Sequence, residues 1–340
     1  MRRTRYAASG PYAPPVPPRE LTVTSADGAR LHAELHGVTD PAAPAVVLAH
    51  GWTCSTAFWA PVVRELVARH RVIVYDQRGH GRSAAPGPGG YSTEALADDL
   101  EAVLEQTLEP GRRAVVVGHS MGGMTVMAAA GRPAVRERAA AVVLCSTGAS
   151  RLVERARVVP LRSERLRARI HRAILGARLP MGPVTPVSKR LLRYGTLGPG
   201  SAPAMVEACA RIVHACPRVV RAGWAHVMGD LDLDARVGLL TMPAAVIVGT
   251  ADRLTPPEQS HAIAAALPQC TGLTELPGLG HMTPVEDPGA VSGVISRLAA
   301  DHLAAEHEGA PGSPRADAPT DALTGDLTDD DPQAAEERTT

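Results

Sequence analysis

The sequence predicts an α/β protein: a mostly parallel central sheet that begins with an antiparallel hairpin and is interrupted by one long helical insertion. Three observations carry this. Short β-branched runs with little polar alternation recur at Val46–Leu48, Val72–Val74, Val115–Val117, Ala141–Leu144 and Ala245–Val248, as expected of strands buried on both faces of a parallel sheet. Helical patterns fall between most of them, the signature of a sheet covered by helices on both sides. About 100 residues separate the run ending at Leu144 from the one starting at Ala245, far more than a single crossover requires.

Each element has a local reason. Leu21–Val23 and Ala29–His36 flank Asp27-Gly28, a pair suited to a tight hairpin turn. Ser92 is a natural N-cap for a helix to Thr107, with Leu96, Leu100, Val103 and Leu104 on one face. In the insertion, Leu166, Ile170 and Ile174 share a face. After Ser201-Ala202-Pro203, Met205, Cys209, Ile212, Val213 and Cys216 do so until Pro217. A last strand is expected over Thr271–Leu276. The chain therefore divides into a flexible Pro-rich arm (1–19), a core in two parts (20–149 and 236–304), a helical lid (150–235) over the carboxyl ends of the strands, where such sheets bind ligands, and a disordered acidic tail (305–340).

Composition narrows the function classes. Of 340 residues 45% are hydrophobic, enough for a substantial core, yet no run approaches the roughly 18 apolar residues of a membrane span. The amino terminus is basic but has no apolar stretch behind it, so a cytoplasmic location is expected. Five scattered cysteines suggest neither a disulfide framework nor a zinc site. The formal charge of zero hides segregation: Arg151–Asp230 holds 15 basic and 4 acidic residues, and Asp301–Thr340 holds 2 and 11. These two segments should attract each other, although a solvated tail is the plainer reading. Nine aromatic residues and a pI near 7.2 argue against a nucleic-acid partner. Peripheral contact of the basic lid with a membrane is compatible with the charges but ranks lower than a small-molecule role, and nothing sets the oligomeric state.

The chemistry concentrates in a few motifs. Gly118-His119-Ser120-Met121-Gly122 follows a strand and precedes an Ala-rich helix, the context in which G-x-S-x-G lifts a serine hydroxyl above the sheet. A serine nucleophile needs a base, and the base an orienting acid. Asp252, after Val246–Val248, and His281, after the last strand, complete the order Ser, Asp, His. The end of the preceding strand carries Ser146 and Thr147, so an acid there is excluded, and Glu258, Asp232 and Asp234 read as helix-end or solvated charges. Backbone N–H groups of Trp52 and Met121 are the expected oxyanion hole. His50 reads as a loop brace. Asp76-Gln77-Arg78-Gly79-His80-Gly81-Arg82-Ser83 reads as a structural turn, since it lacks the Lys-Ser/Thr of a phosphate loop. Phe58, Trp59, Met124, Trp224, Met228 and Met282 are the candidates for an apolar acyl pocket, with core packing as the competing role. No metal or organic cofactor is required.

With HGW, DQRGHGRS, GHSMGG, GTADRLTP and GHM in this order, the chain resembles the α/β-hydrolase superfamily over about residues 20–150 and 236–303, with the lid matching in position only. The resemblance implies that fold and a serine hydrolase acting on an ester, lactone or related acyl bond through Ser120, His281 and Asp252. The serine at 120 departs from haloalkane dehalogenases and epoxide hydrolases, which use aspartate. Tyr91–Leu104 is similar to enol-lactonases, and Trp52 after His-Gly to cofactor-free perhydrolases. Acyl transfer, perhydrolysis and carbon-carbon hydrolysis could use the same residues, and a non-catalytic binding protein of this fold stands as the alternative from another class.

Overall fold

A computed structural model of the protein describes residues 10–308 apart from 17, 88, 176 and 178–180. Eight strands form one sheet: β1 (Arg19–Thr24), β2 (Arg30–Gly37), β3 (Ala45–Ala49), β4 (Arg71–Tyr75), β5 (Ala114–His119), β6 (Ala139–Cys145), β7 (Ala244–Gly249) and β8 (Cys270–Leu276). Their order is β1-β2-β4-β3-β5-β6-β7-β8. Strand β2 runs antiparallel to both β1 and β4, and the pairs from β4 to β8 are parallel. The hairpin turns where expected, at Asp27-Gly28, with Gly28 at φ +81°, a conformation costly for a residue bearing Cβ.

Each of β3 to β7 is buried throughout. Successive side chains enter opposite layers, as strand geometry requires. Ala45, Val47 and Ala49 belong to one core cluster, Val46 and Leu48 to the other. The helices are α1 (Ala60–Leu66), α2 (Thr93–Thr107), α3 (Met121–Ala128), α4 (Pro133–Arg138), α5 (Leu152–Arg155), α6 (Glu164–Leu175), α7 (Pro186–Thr196), α8 (Pro203–Ala215), α9 (Arg218–Gly229), α10 (Asp234–Val237), α11 (Pro257–Ala266), α12 (Thr283–Glu286) and α13 (Pro288–Glu308). Helices α2 and α3 pack together on one side of the sheet and α1 and α13 on the other. Ser92 caps α2 by accepting the Ala95 N–H at 3.1 Å. Helices α5 to α10 occupy the long connection between β6 and β7.

The expected termini fall largely outside the described residues: 1–9 and 17 of the arm, 309–340 of the tail. Of the described arm residues, 10–16 are turned and Arg19 already belongs to β1. The Ala13 N–H donates to Gly10 O at 3.2 Å, Ala13 is buried, and Tyr12 packs on the second core cluster. At the other end α13 runs to Glu308, four residues into the segment expected to be tail.

Candidate active site

Ser120 sits between β5 and α3 at φ 53°, ψ −117°, a conformation that costs roughly 1 to 3 kcal/mol for a non-glycine residue. The glycines around it make the turn possible. A Cβ on Gly118 would collide with the Gly122 carbonyl, and one on Gly122 with that of Ala49. The Ser120 N–H continues the sheet ladder to Cys145 O at 3.0 Å, and Thr147 Oγ1 donates to Ser120 O at 2.8 Å. The turn is thus held from both sides while the side chain projects toward the insertion.

Asp252 lies just past β7, its Oδ1 accepting the N–H groups of Leu254 at 2.8 Å and Thr255 at 3.0 Å. Its Oδ2 accepts from Thr255 Oγ1 at 2.9 Å and pairs with His281 Nδ1 at 2.8 Å. Asp252 and His281 are both buried. The main chain of His281 is fixed on two sides: its N–H donates to Thr196 O at 2.9 Å, and its carbonyl accepts from His119 Nε2 at 2.8 Å. Burial holds His119 neutral, with a pKa well below the ordinary histidine value. Among the described residues no hydrogen bond joins Ser120 Oγ to His281 Nε2. Both residues line one cavity of about 470 Å³ between the strand ends and the insertion.

The backbone of Gly51 and Trp52, past β3, runs beside the serine: a Cβ on Gly51 would lie 3.1 Å from that of Ser120. Trp52 is anchored across the site by its indole N–H, which donates to Arg221 O in α9 at 3.0 Å. The Met121 N–H is among the first donors of α3, which have no acceptor within the helix. His50 braces this loop, with Nδ1 donating to Gly51 O at 2.8 Å and Nε2 accepting from the Gln77 N–H at 3.0 Å. The Asp76–Ser83 segment is a structural turn as well. Asp76 accepts from the N–H groups of Thr56 (2.7 Å) and Arg82 (2.8 Å), and Arg78 forms a buried two-pronged pair with Asp99 at 2.7 and 2.6 Å.

Of the six expected pocket residues, Met124, Met228 and Met282 line the cavity. Phe58, Trp59 and Trp224 do not. Phe58 and Trp59 lie on a 3₁₀ turn, Thr56–Trp59, whose aromatic rings face the second core cluster and His119, the Phe58 ring stacking on the imidazole at 4.5 Å. Trp224 is fully buried, donating to Arg78 O at 3.1 Å and meeting Tyr91 edge-on. These three are core residues, each ring filling the side of its element with most apolar volume. The cavity wall is instead completed by aliphatic residues of the insertion, among them Leu152, Val153, Ile174, Leu191, Leu192 and Val213.

One residue at the site carries no sequence signal of its own. The Glu286 carboxylate accepts from the N–H groups of Gly280 (3.0 Å) and Met282 (3.1 Å), on either side of His281, and from Gly198 N–H (2.6 Å) and Ser201 Oγ (3.1 Å) in the insertion. It ties the His281 loop to the segment between α7 and α8. Only the short spacing from His281 to an acid at the end of α12 could have hinted at it.

Comparison with known proteins agrees with this architecture. A family model described as alpha/beta hydrolase fold matches residues 44–288. A putative carbamate hydrolase RutD of Variovorax paradoxus (strain S110) is 33% identical over 287 residues, covering 84% of this chain and 99% of that protein. Among solved structures, a thermophilic esterase from Thermogutta terrifontis superposes with a TM-score of 0.66 at 26% identity, covering 85% of this chain and 99% of that one. The enol-lactonase from Burkholderia xenovorans LB400 does so at 0.61 and 26%, covering 82% and 99%. On the strand order, the turn at Ser120 and these matches, the chain belongs to the α/β-hydrolase family.

Proposed function

We propose that the protein is a serine hydrolase of an ester, lactone or related acyl bond in an apolar compound, with Ser120 as nucleophile, His281 as base and Asp252 as orienting acid. The observation that carries this reading is the joint lining of one cavity by Ser120 and His281, with His281 Nδ1 already committed to Asp252 at 2.8 Å. Donation from Nδ1 to a carboxylate leaves Nε2 with the lone pair, the nitrogen that can take the Ser120 proton. Oγ then bonds to the acyl carbon, and the carbonyl oxygen gains charge where the Trp52 and Met121 N–H groups can meet it. His281 returns the proton to the leaving oxygen, and water repeats the sequence to release the acid and restore Ser120. In apo hydrolases the serine–histidine contact is often long and tightens with substrate. The insertion acts as the lid that closes the acyl site.

The aliphatic wall supports an apolar acyl group. Each methylene that enters the cavity is expected to raise kcat/KM up to roughly fourfold, so a series of p-nitrophenyl esters from acetyl upward should show a rise and then a plateau. A flat or falling series would remove the apolar assignment. A fluorophosphonate probe should label the wild type and not Ser120→Ala. The name of the Variovorax paradoxus relative favours a second reading, a carbamate substrate, whose carbonyl the same residues could attack. An aryl carbamate in the same panel, turned over faster than every ester, would establish it.

Glu286 is assigned a positioning role. Glu286→Ala is expected to lower kcat by on the order of tenfold or more with KM little changed, since lost hydrogen bonds to a charged acceptor each count for about 1.5 to 3 kcal/mol. Glu286→Gln, which retains an acceptor oxygen, should restore part of kcat. Equal loss in both variants, or a change in KM alone, would refute the role.

A further inference from the structure

We propose that the outer face of α6 and α7 docks on an anionic phospholipid surface, with its apolar rows entering the acyl boundary and its cations meeting the headgroup phosphates. On α7, Val187, Leu191 and Tyr194 are 70%, 66% and 42% exposed at spacings of four and three residues, and so form one row along the helix. On α6, Leu166 and Ile174 are 48% and 61% exposed, two turns apart. Single exposed aliphatic residues are ordinary. Two rows on successive helices of one insertion are not, and they lead inward: Ile174 and Leu191 also line the cavity that holds Ser120. The mouth of the Ser120 cavity is therefore part of this face.

The charges accompany the rows. Arg190 and Arg193 flank the α7 row, and beside them Lys189 and Arg253 complete the basic wall of a groove of about 600 Å³ with Leu197 and Val206 in its lining. Two of these cations are held in place: Lys189 by Glu207 at 3.0 Å, Arg253 by the Tyr194 ring at 4.4 Å. On α6, Arg165, Arg169 and Arg172 are exposed, Arg172 being paired with Glu154 at 2.6 Å. An acidic protein would satisfy these cations and leave the apolar rows in water. A second copy of the chain would cover the rows and bring like charges together. A bilayer surface rich in anionic lipid satisfies both at once, the combination by which amphipathic helices lie in a membrane interface. Contact would be peripheral, because no helix among the described residues is long and apolar enough to cross a membrane.

The docking does not depend on the chemistry proposed for Ser120, and its test needs no turnover. The full chain is mixed at low salt with vesicles of phosphatidylcholine alone or with about one-third phosphatidylglycerol, then floated. Each cation near an anionic surface contributes roughly a fivefold factor, so partitioning should favour the anionic vesicles at least tenfold and weaken as salt is raised. The double variant Leu166→Glu, Val187→Glu and the single variant Arg190→Glu should each lose most of it with melting temperature unchanged, since none of these side chains is buried or lines the Ser120 cavity. Equal binding to both vesicles, binding to neither, or full binding by the variants would overturn the proposal. So would a concentration-dependent dimer that Val187→Glu dissolves, which would assign the face to a second copy.

Discussion

Under the proposed triad, replacing Ser120 or His281 with alanine is expected to remove nearly all activity toward a p-nitrophenyl ester, and the double replacement to be hardly worse than either single one. In that mechanism nucleophile and base act in one step: without the base the hydroxyl is a poor nucleophile, and without the hydroxyl the base has nothing to activate. Coupled residues of this kind are strongly non-additive, with single losses of order 10⁴ to 10⁶ in kcat. Asp252→Asn should also be severe. An amide presenting its N–H₂ to Nδ1 favours the tautomer with the proton on Nε2, where it can no longer accept from Ser120. Steady-state kinetics on one p-nitrophenyl ester decide the matter. Losses that multiply in the double variant would separate Ser120 from His281, and near-normal turnover by Asp252→Asn would point to another acid.

Stability should fall steeply on mild acidification. His50, His80 and His119 are fully buried and neutral. Burial, with a nearby histidine adding to it for His50, lowers the pKa of His50 to about 3. It lowers that of His80 to about 4 and that of His119 well below its ordinary value of 6.5. The hydrogen bonds explain why a proton is unwelcome: His50 Nε2 and His80 Nε2 already accept backbone N–H groups, from Gln77 and Thr53. Below pH 6.5 the unfolded chain binds three protons that the folded chain refuses, so stability is lost as pH falls through this window toward 4. Asp76 works the other way. Burial raises its pKa from 3.8 to about 6, so the folded state takes up its proton first and gains stability as pH falls from 6 toward 3.8. The balance is two protons, or about 3 kcal/mol per pH unit between pH 6 and 4, against a total of roughly 5 to 15 kcal/mol for a typical protein. Urea unfolding at pH 7.5, 6, 5 and 4.5 should show the midpoint collapsing across that range. A midpoint independent of pH would contradict neutral burial of these histidines.

The elements that local chemistry dictates were legible in the sequence. Strands buried on both faces read as unbroken apolar runs, Ser92 announced its helix, and Ser120, Asp252 and His281 followed strands in a recognisable order. What the sequence left open depended on direction. Phe58 and Trp59 follow the HGW motif and Trp224 lies in the insertion as Met228 does, yet their rings turn into the core, because nothing local to a residue says which side of its element has room for a ring. Glu286 was hidden for a different reason: apart from the Ser201 hydroxyl its partners are backbone N–H groups, and a backbone donor has no residue type to betray it. The aliphatic cavity wall came from helical faces that read equally well as core.

The Glu286 carboxylate and the Thr196 carbonyl together place the seam between core and insertion in an unexpected position. Residues 196–201 belong to the insertion by order along the chain, yet they form the socket that holds the peptide units around His281. Gly280 even requires the main chain of Leu197 and Gly198 so close that a side chain at 280 would collide with it. An exchange of the β6–β7 insertion between members of this family would therefore succeed or fail on its breakpoint. Donor sequence ending before Thr196 leaves the socket native, whereas donor sequence running through Ser201 brings a foreign wall against the backbone around His281 and against Glu286. The unit that keeps His281 in place extends one helix end beyond the sheet.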